Sequence, residues 1–180
     1  MMRPYILMAA ALSLAIPASA AAKDPAFPLA GPWDSVAFEL KSWGRPVVSW
    51  NLSSTGAGLL TDTVTPEGAG FGRYDLVWHQ LNVGAEDYAR LATILHRLPF
   101  PAPAYDKCEQ RATDFPYGAL TLKQGSTAVT LDFNMGCDDA DYQAYVDTLK
   151  AASDLVETWA KAAPVVRTEQ VGVRNDRVSK

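Results

Sequence analysis

The sequence predicts an α+β domain: an antiparallel sheet of about five to six strands with two helices packed on one face, closed by one disulfide. Three observations predict it. Short stretches of alternating apolar and polar residues fill the first half of the chain and recur before Asn134. Two longer stretches, 85–98 and 142–163, repeat apolar residues at three- and four-residue intervals. Only two cysteines, Cys108 and Cys137, occur, in a chain whose first residues read as an export signal.

That signal is "MMRPYILMAAALSLAIPASAAAKDP". Arg3 precedes an uncharged apolar run from Ile6 to Ile16, Pro17 breaks it, and Ala18-Ser19-Ala20 supplies the small residues of a cleavage site. Cleavage is expected after Ala20, with Ala22 as the fallback. It would leave 160 of the 180 residues, one domain with a real core, and would move the formal charge from −4 to −5. No cysteine sits at the cleavage site, so a lipid anchor is not expected, and no later stretch is apolar enough for a membrane span. The expected location is the periplasm or the extracellular medium, in soluble form. A mildly acidic surface gives no phosphate-binding footprint, so nucleic acid is not an expected partner.

The elements follow in order. In "WDSVAFELKSW", Val36, Phe38 and Leu40 alternate with Ala37, Glu39 and Lys41, the pattern of a half-buried strand. "GRP" reads as a turn, "VVSWNL" as a second strand, "SSTGAG" as a turn and "LLTDTV" as a third, weaker strand. "TPEGAGFGR" is a glycine-rich loop, and its alternating glycines precede a strand, where a dinucleotide fingerprint needs a helix. "YDLVWHQLNV" is a fourth strand. Gly84 starts a helix with Tyr88, Leu91, Ala92, Leu95 and Leu98 on one stripe, and Pro99, Pro101 and Pro103 stop it.

After a crossing through Cys108, "YGALTLK" and "STAVTLDFNM" flank Gln124-Gly125 as a hairpin. Leu120 and Leu122 share one face with Val129, Leu131 and Phe133, and Thr121, Thr130 and Asp132 point the other way. A second helix carries Tyr142, Tyr145, Val146, Leu149, Ala152, Val156 and Trp159 on one face and ends near Pro164. The single domain is thus expected over residues 21–164. Residues 165–180, with scattered valines, read as a disordered or frayed tail.

"NMGCDDADYQAYV" is the densest cluster of chemistry-bearing residues. A disulfide between Cys108 and Cys137 closes a loop of roughly 30 residues, which is worth about 3.5 kcal/mol on the chain-entropy model. With His79 and His96 the cysteines offer four zinc ligands, but spacings of 17, 12 and 29 match no finger or ribbon. A reactive thiolate would need a cationic neighbour, whereas Cys137 precedes Asp138, Asp139 and Asp141. A calcium loop would need a glycine turn among alternating ligands, which is missing. The acids are instead expected at the start of the second helix, with Asp138 or Asp139 as its cap. No cofactor or metal is expected.

No nucleophile elbow, zinc-protease motif, phosphate loop or C-x-x-C occurs. His96, near a helix C-terminus, suits the negative end of the dipole. On the Tyr74–Val83 strand, Asp75, Val77, His79 and Leu81 alternate with Tyr74, Leu76, Trp78 and Gln80, and both rows are partly apolar. Alternation therefore leaves open which row meets the helices. If the His79 row does, Tyr74, Leu76 and Trp78 form an aromatic surface for a partner. The plainer reading is that both rows pack against the rest of the fold.

The order of elements resembles a bacterial exported family of unknown function. The resemblance rests on the "SSTGAG" hairpin, "VGAEDYARLATIL", "LPFPAPAYD", Asp114-Phe115-Pro116, "ALTLKQGSTAVTLDF" and "YVDTLKAASDLVETW", over residues 47–160. It implies the strands–helix–hairpin–helix order and no activity, and it does not extend to the cysteine pair.

The function expected is that of a non-enzymatic module that binds another envelope protein or a ligand. An inhibitor of an exported hydrolase and a carboxylate-based enzyme are the alternatives. Intact-mass measurement of the exported protein should give a chain beginning at Ala21 and two hydrogens lighter than its reduced form. Free thiols in quenched material would contradict the bridge.

Overall fold

The computed structural model describes residues 30–69 and 72–172. The expected signal peptide, the middle of the glycine loop and the last eight residues of the expected tail lie outside them. Seven strands form one antiparallel sheet: β1 (Ser35–Ser42), β2 (Arg45–Ser53), β3 (Ala57–Val64), β4 (Tyr74–Asn82), β5 (Tyr117–Gln124), β6 (Thr127–Asn134) and β7 (Val165–Val171). Helix α1 (Ala85–Leu95) follows β4, and α2 (Ala140–Ala160) follows β6. The strands lie in the order β6-β5-β1-β2-β3-β4-β7.

β1 to β4 form a meander of hairpins, each strand pairing with its successor. The β5–β6 hairpin then adds to the free edge of β1. Its inward residues pair as the alternation requires, Leu120 with Leu131 and Leu122 with Val129. Beside them lie Val36 and Phe38 of β1, Val48, Trp50 and Leu52 of β2, and Leu60 of β3, all buried. Phe38 stacks between Trp50 and Phe133, with centroids 5.6 and 5.5 Å away.

Both helices close this one face. Tyr88, Leu91 and Leu95 of α1 and Tyr142, Tyr145, Val146, Leu149, Ala152 and Val156 of α2 join the same buried cluster. Three hydroxyls fix the long helix and its neighbours by hydrogen bonds. Tyr145 donates to the Asp132 carbonyl at 3.1 Å, Tyr142 accepts from the Asn134 amide at 2.9 Å, and Ser153 accepts from the Trp50 indole at 3.3 Å. The third bond explains a buried serine among apolar residues.

The strand count departs from expectation because the segment read as a frayed tail begins with a strand. Val165–Val171 pairs antiparallel with β4, from His79↔Val165 to Tyr74↔Val171. Six of its seven residues are exposed, so it has no buried face for a hydrophobic pattern to announce. Its driving force is the row of backbone groups on the edge of β4, which would otherwise go unpaired.

A second difference concerns the first turn. Trp43 and Gly44, not Gly44 to Pro46, make it, with φ of 54° and 74°, the signs of a type I′ hairpin. At the next turn Gly56 adopts φ +84°, and a Cβ there would stand 2.0 Å from the Val83 carbonyl oxygen. The Val83 amide donates to Gly56 O at 3.0 Å, so this glycine joins the β2–β3 turn to the start of α1. Gly56→Ala should cost roughly 2–4 kcal/mol from strain and overlap together, read as a lowered unfolding midpoint in urea.

Candidate functional site

Pairing decides the orientation that alternation leaves open. His79 lies opposite Leu60, and Leu81 opposite Gly58, so the row Asp75, Val77, His79, Leu81 faces the helices. Tyr74, Leu76 and Trp78 therefore stand on the face that no helix covers. They are half-buried there, because neighbouring side chains lean on them. The Arg45 guanidinium lies 4.2 Å above the Tyr74 ring and donates to Thr65 Oγ1 at 2.7 Å. That of Arg167, on β7, lies 4.5 Å above the Trp78 ring.

The rest of this open face is largely small or polar, with Leu59 and Tyr117 as its other bulky residues. One row crosses the sheet as Asp132, Ala119, Glu39, Ser49, Thr61, Trp78 and Arg167. Side chains of paired residues share a face, so the row runs from a carboxylate at one edge to a guanidinium at the other. Ala37, Ser49, Thr61, Ala119 and Thr121 floor a hollow of about 510 Å³, with Glu39 and Asp132 also lining it. A second groove of about 570 Å³ lies at the Tyr74 end, lined by Trp43, Arg45, Thr63 and Thr65 among others. Trp43 is 71 % exposed at its rim, on a backbone conformation unusual for a bulky residue.

Sequence reasoning missed three parts of this surface. Trp43 appeared as the end of a strand, although Trp-Gly at a two-residue turn was its signal. Arg167 fell in the supposed tail. The hollow depends on Ala37 and Ala119 meeting as near neighbours on β1 and β5, strands distant in the chain, which no local pattern reveals.

The two carboxylates at the hollow are exposed, and Lys41 Nζ holds the Glu39 carboxylate at 2.8 Å. On the helix side, His79 is half-buried and its Nδ1 has no hydrogen-bond partner among the described residues. Ser153 Oγ passes the Trp50 contact on to Glu157 Oε1 at 2.9 Å. Burial pushes the Glu157 carboxyl above its usual range, the Ser153 hydrogen bond works against this, and Asp154 and Asp62 add to the rise.

The bridge between Cys108 and Cys137 is formed. Around it the crossing segment pairs with the approach to α2: the Ala112 amide donates to Gly136 O at 2.7 Å and the Asp138 amide to Gln110 O at 3.0 Å. Both sulfurs lie within 4.8 Å of an Asp139 oxygen, a grouping that suggests a metal. Their bond to each other removes them as thiolate ligands.

The capping role expected of Asp138 or Asp139 is corrected here. Asp139 does occupy the position before α2, with φ −68° and ψ 133°, but its carboxylate caps no helix amide. It turns instead to the amides of Glu109 at 2.9 Å and Gln110 at 3.3 Å. These two donors sit just past Cys108 in a loop with no strand partners for them, so they outcompete the helix terminus for the charge. Asp138 lies one residue earlier, exposed. Asp141 remains in the first turn, where the dipole favours it.

Among the described residues no helix is long and apolar enough to cross a membrane. No protein-family profile, curated protein or solved structure matches the chain.

The Glu157 environment gives a pH-dependent expectation. The folded protein holds this proton more tightly than the unfolded chain, so stability falls as pH rises from the ordinary carboxyl range through the raised value. Glu157→Gln keeps the acceptor for Ser153 and removes the charge. Its melting temperature should match the wild type near pH 4 and exceed it by about one or two degrees at pH 7, allowing for solvent screening.

Proposed function

We propose that this chain is a soluble exported protein, periplasmic or secreted, that binds a protein partner without catalysis through the open face of its sheet. The observation that carries the reading is one-sided coverage: both helices lie on one face, and the other presents Tyr74, Leu76 and Trp78 beside a small-floored hollow. Aromatic side chains with guanidinium neighbours are the residue types that dominate protein contact surfaces. A disulfide as the covalent closure of the fold suits an oxidising compartment.

One observation favours a narrower variant. Trp43 projects from a tight two-residue turn, and a rigid protruding aromatic is suited to plugging the cleft of an exported hydrolase. An inhibitor of this kind would lose its effect on Trp43→Ala. The carboxylate-based alternative would use Glu39 and Asp132 at the hollow, but both are exposed and Glu39 is clasped by Lys41. Acid catalysis asks for a carboxyl shielded from water, so this reading is the weakest.

Immobilised wild-type protein should retain a defined set of polypeptides from envelope extract at several salt concentrations. Retention should drop severalfold with Trp78→Ser and stay unchanged with Arg90→Ala on α1. Equal retention by both variants, or nothing specific retained by the wild type, would overturn the proposal.

A further inference from the structure

We propose that the open face is occupied by a second copy of this chain, packed face to face about a two-fold axis that runs along β2. This rests on reading that face as a contact surface, and it names the occupant.

The argument begins with strand order. β2 is the central strand of the seven, with β1, β5 and β6 on one side and β3, β4 and β7 on the other. A two-fold axis along β2, lying between two facing sheets, exchanges these halves and keeps each cross-strand row in place. It sets β4 of one copy over β5 of its partner, and β7 over β6.

What then meets is complementary in shape. Trp78, the largest side chain of its row, falls over Ala119. Leu59 falls over Ala37 in the next row. The bulky end of each copy thus enters the hollow of the other, and the small floor that leaves about 510 Å³ empty in one chain has an occupant. On the axis itself Ser49 meets its own counterpart.

Charge is complementary as well. Arg167 of one copy meets Asp132 of the other, twice by symmetry. Asp132 is exposed and forms no ion pair among the described residues. Arg167 lies 4.5 Å above the Trp78 ring and already pairs with Glu169 on its own strand, so the partner's Asp132 would take further donors of a guanidinium fork that has five.

The area suffices. Seven strands about 4.8 Å apart and eight residues long at about 3.3 Å each span a face of roughly 750 Å² per copy. Specific interfaces of standard size bury about 600–1,000 Å² per partner, a range that includes this face.

Sedimentation velocity on the protein purified after expression of the full chain tests this directly. The wild type is expected to be a dimer whose association weakens at high salt. Arg167→Glu alone and Asp132→Arg alone should each raise the dissociation constant by roughly tenfold or more, because like charges then face each other twice. Mixing the two single variants should restore the dimer, since both contacts then pair opposite charges, and the double variant should restore it too. Ala119→Trp should give a folded monomer by filling the hollow. A wild-type monomer at high concentration, or single variants that neither weaken the dimer nor rescue one another, would overturn the proposal. Loss of the dimer would leave capture of a different protein by the same face intact, so the two readings fail separately.

Discussion

Two helices cannot cover both sides of a seven-stranded sheet, and this shortage of cover shapes the molecule. α1 and α2 supply 11 and 21 residues, and their buried stripes are spent on one face. On that face the sheet is continuous from Leu131 to Leu81 in Leu, Val, Phe and Trp side chains that share one cluster. On the other it must meet water with its own side chains, and serine, threonine, asparagine and alanine serve there. The exceptions, among them Leu59, Tyr74, Leu76, Trp78 and Tyr117, are therefore the residues whose presence asks for a reason beyond folding.

The polar bonds at the helix–sheet seam serve specificity more than bulk stability. Tyr142, Tyr145 and Ser153 each reach a group that would otherwise be buried unsatisfied or unpaired at a sheet edge. Together they fix the rotation of α2 about its axis. The disulfide fixes its start. Asp139 adds a noncovalent tie beside that bridge, so the crossing segment and the head of α2 are joined by sulfur, by backbone pairing and by a carboxylate.

Much of this fold is legible in the chain, and the reasons differ by element. β1, β2 and the β5–β6 hairpin have one buried and one exposed row, so Val36, Phe38, Trp50, Leu120 and Leu131 declare their side by period alone. The stripe of α2 is likewise evident, except for Ser153, whose polarity hides a core position that only Trp50 explains. β4 resists because Tyr74, Leu76 and Trp78 alternate with Val77 and Leu81, and its side is settled by Leu60 on another strand. β7 is silent for a different reason: a strand exposed throughout is specified by its neighbour's backbone and not by its own side chains. Asp139 shows the same limit. A local cap and a tie to Glu109 and Gln110, some thirty positions back, present one identical letter.

The way β7 is attached has a practical consequence. It touches the rest of the sheet through β4 only and closes that side of the molecule. A chain cut before Val165 would keep its whole core yet lay open the main-chain groups of β4 beside Val77 and Trp78. Such a shortened protein would fold and then stack, edge to edge, with others of its kind. Those seven mostly hydrophilic residues thus act as a fender: they contribute little to the interior and keep one molecule's rim from becoming another's template.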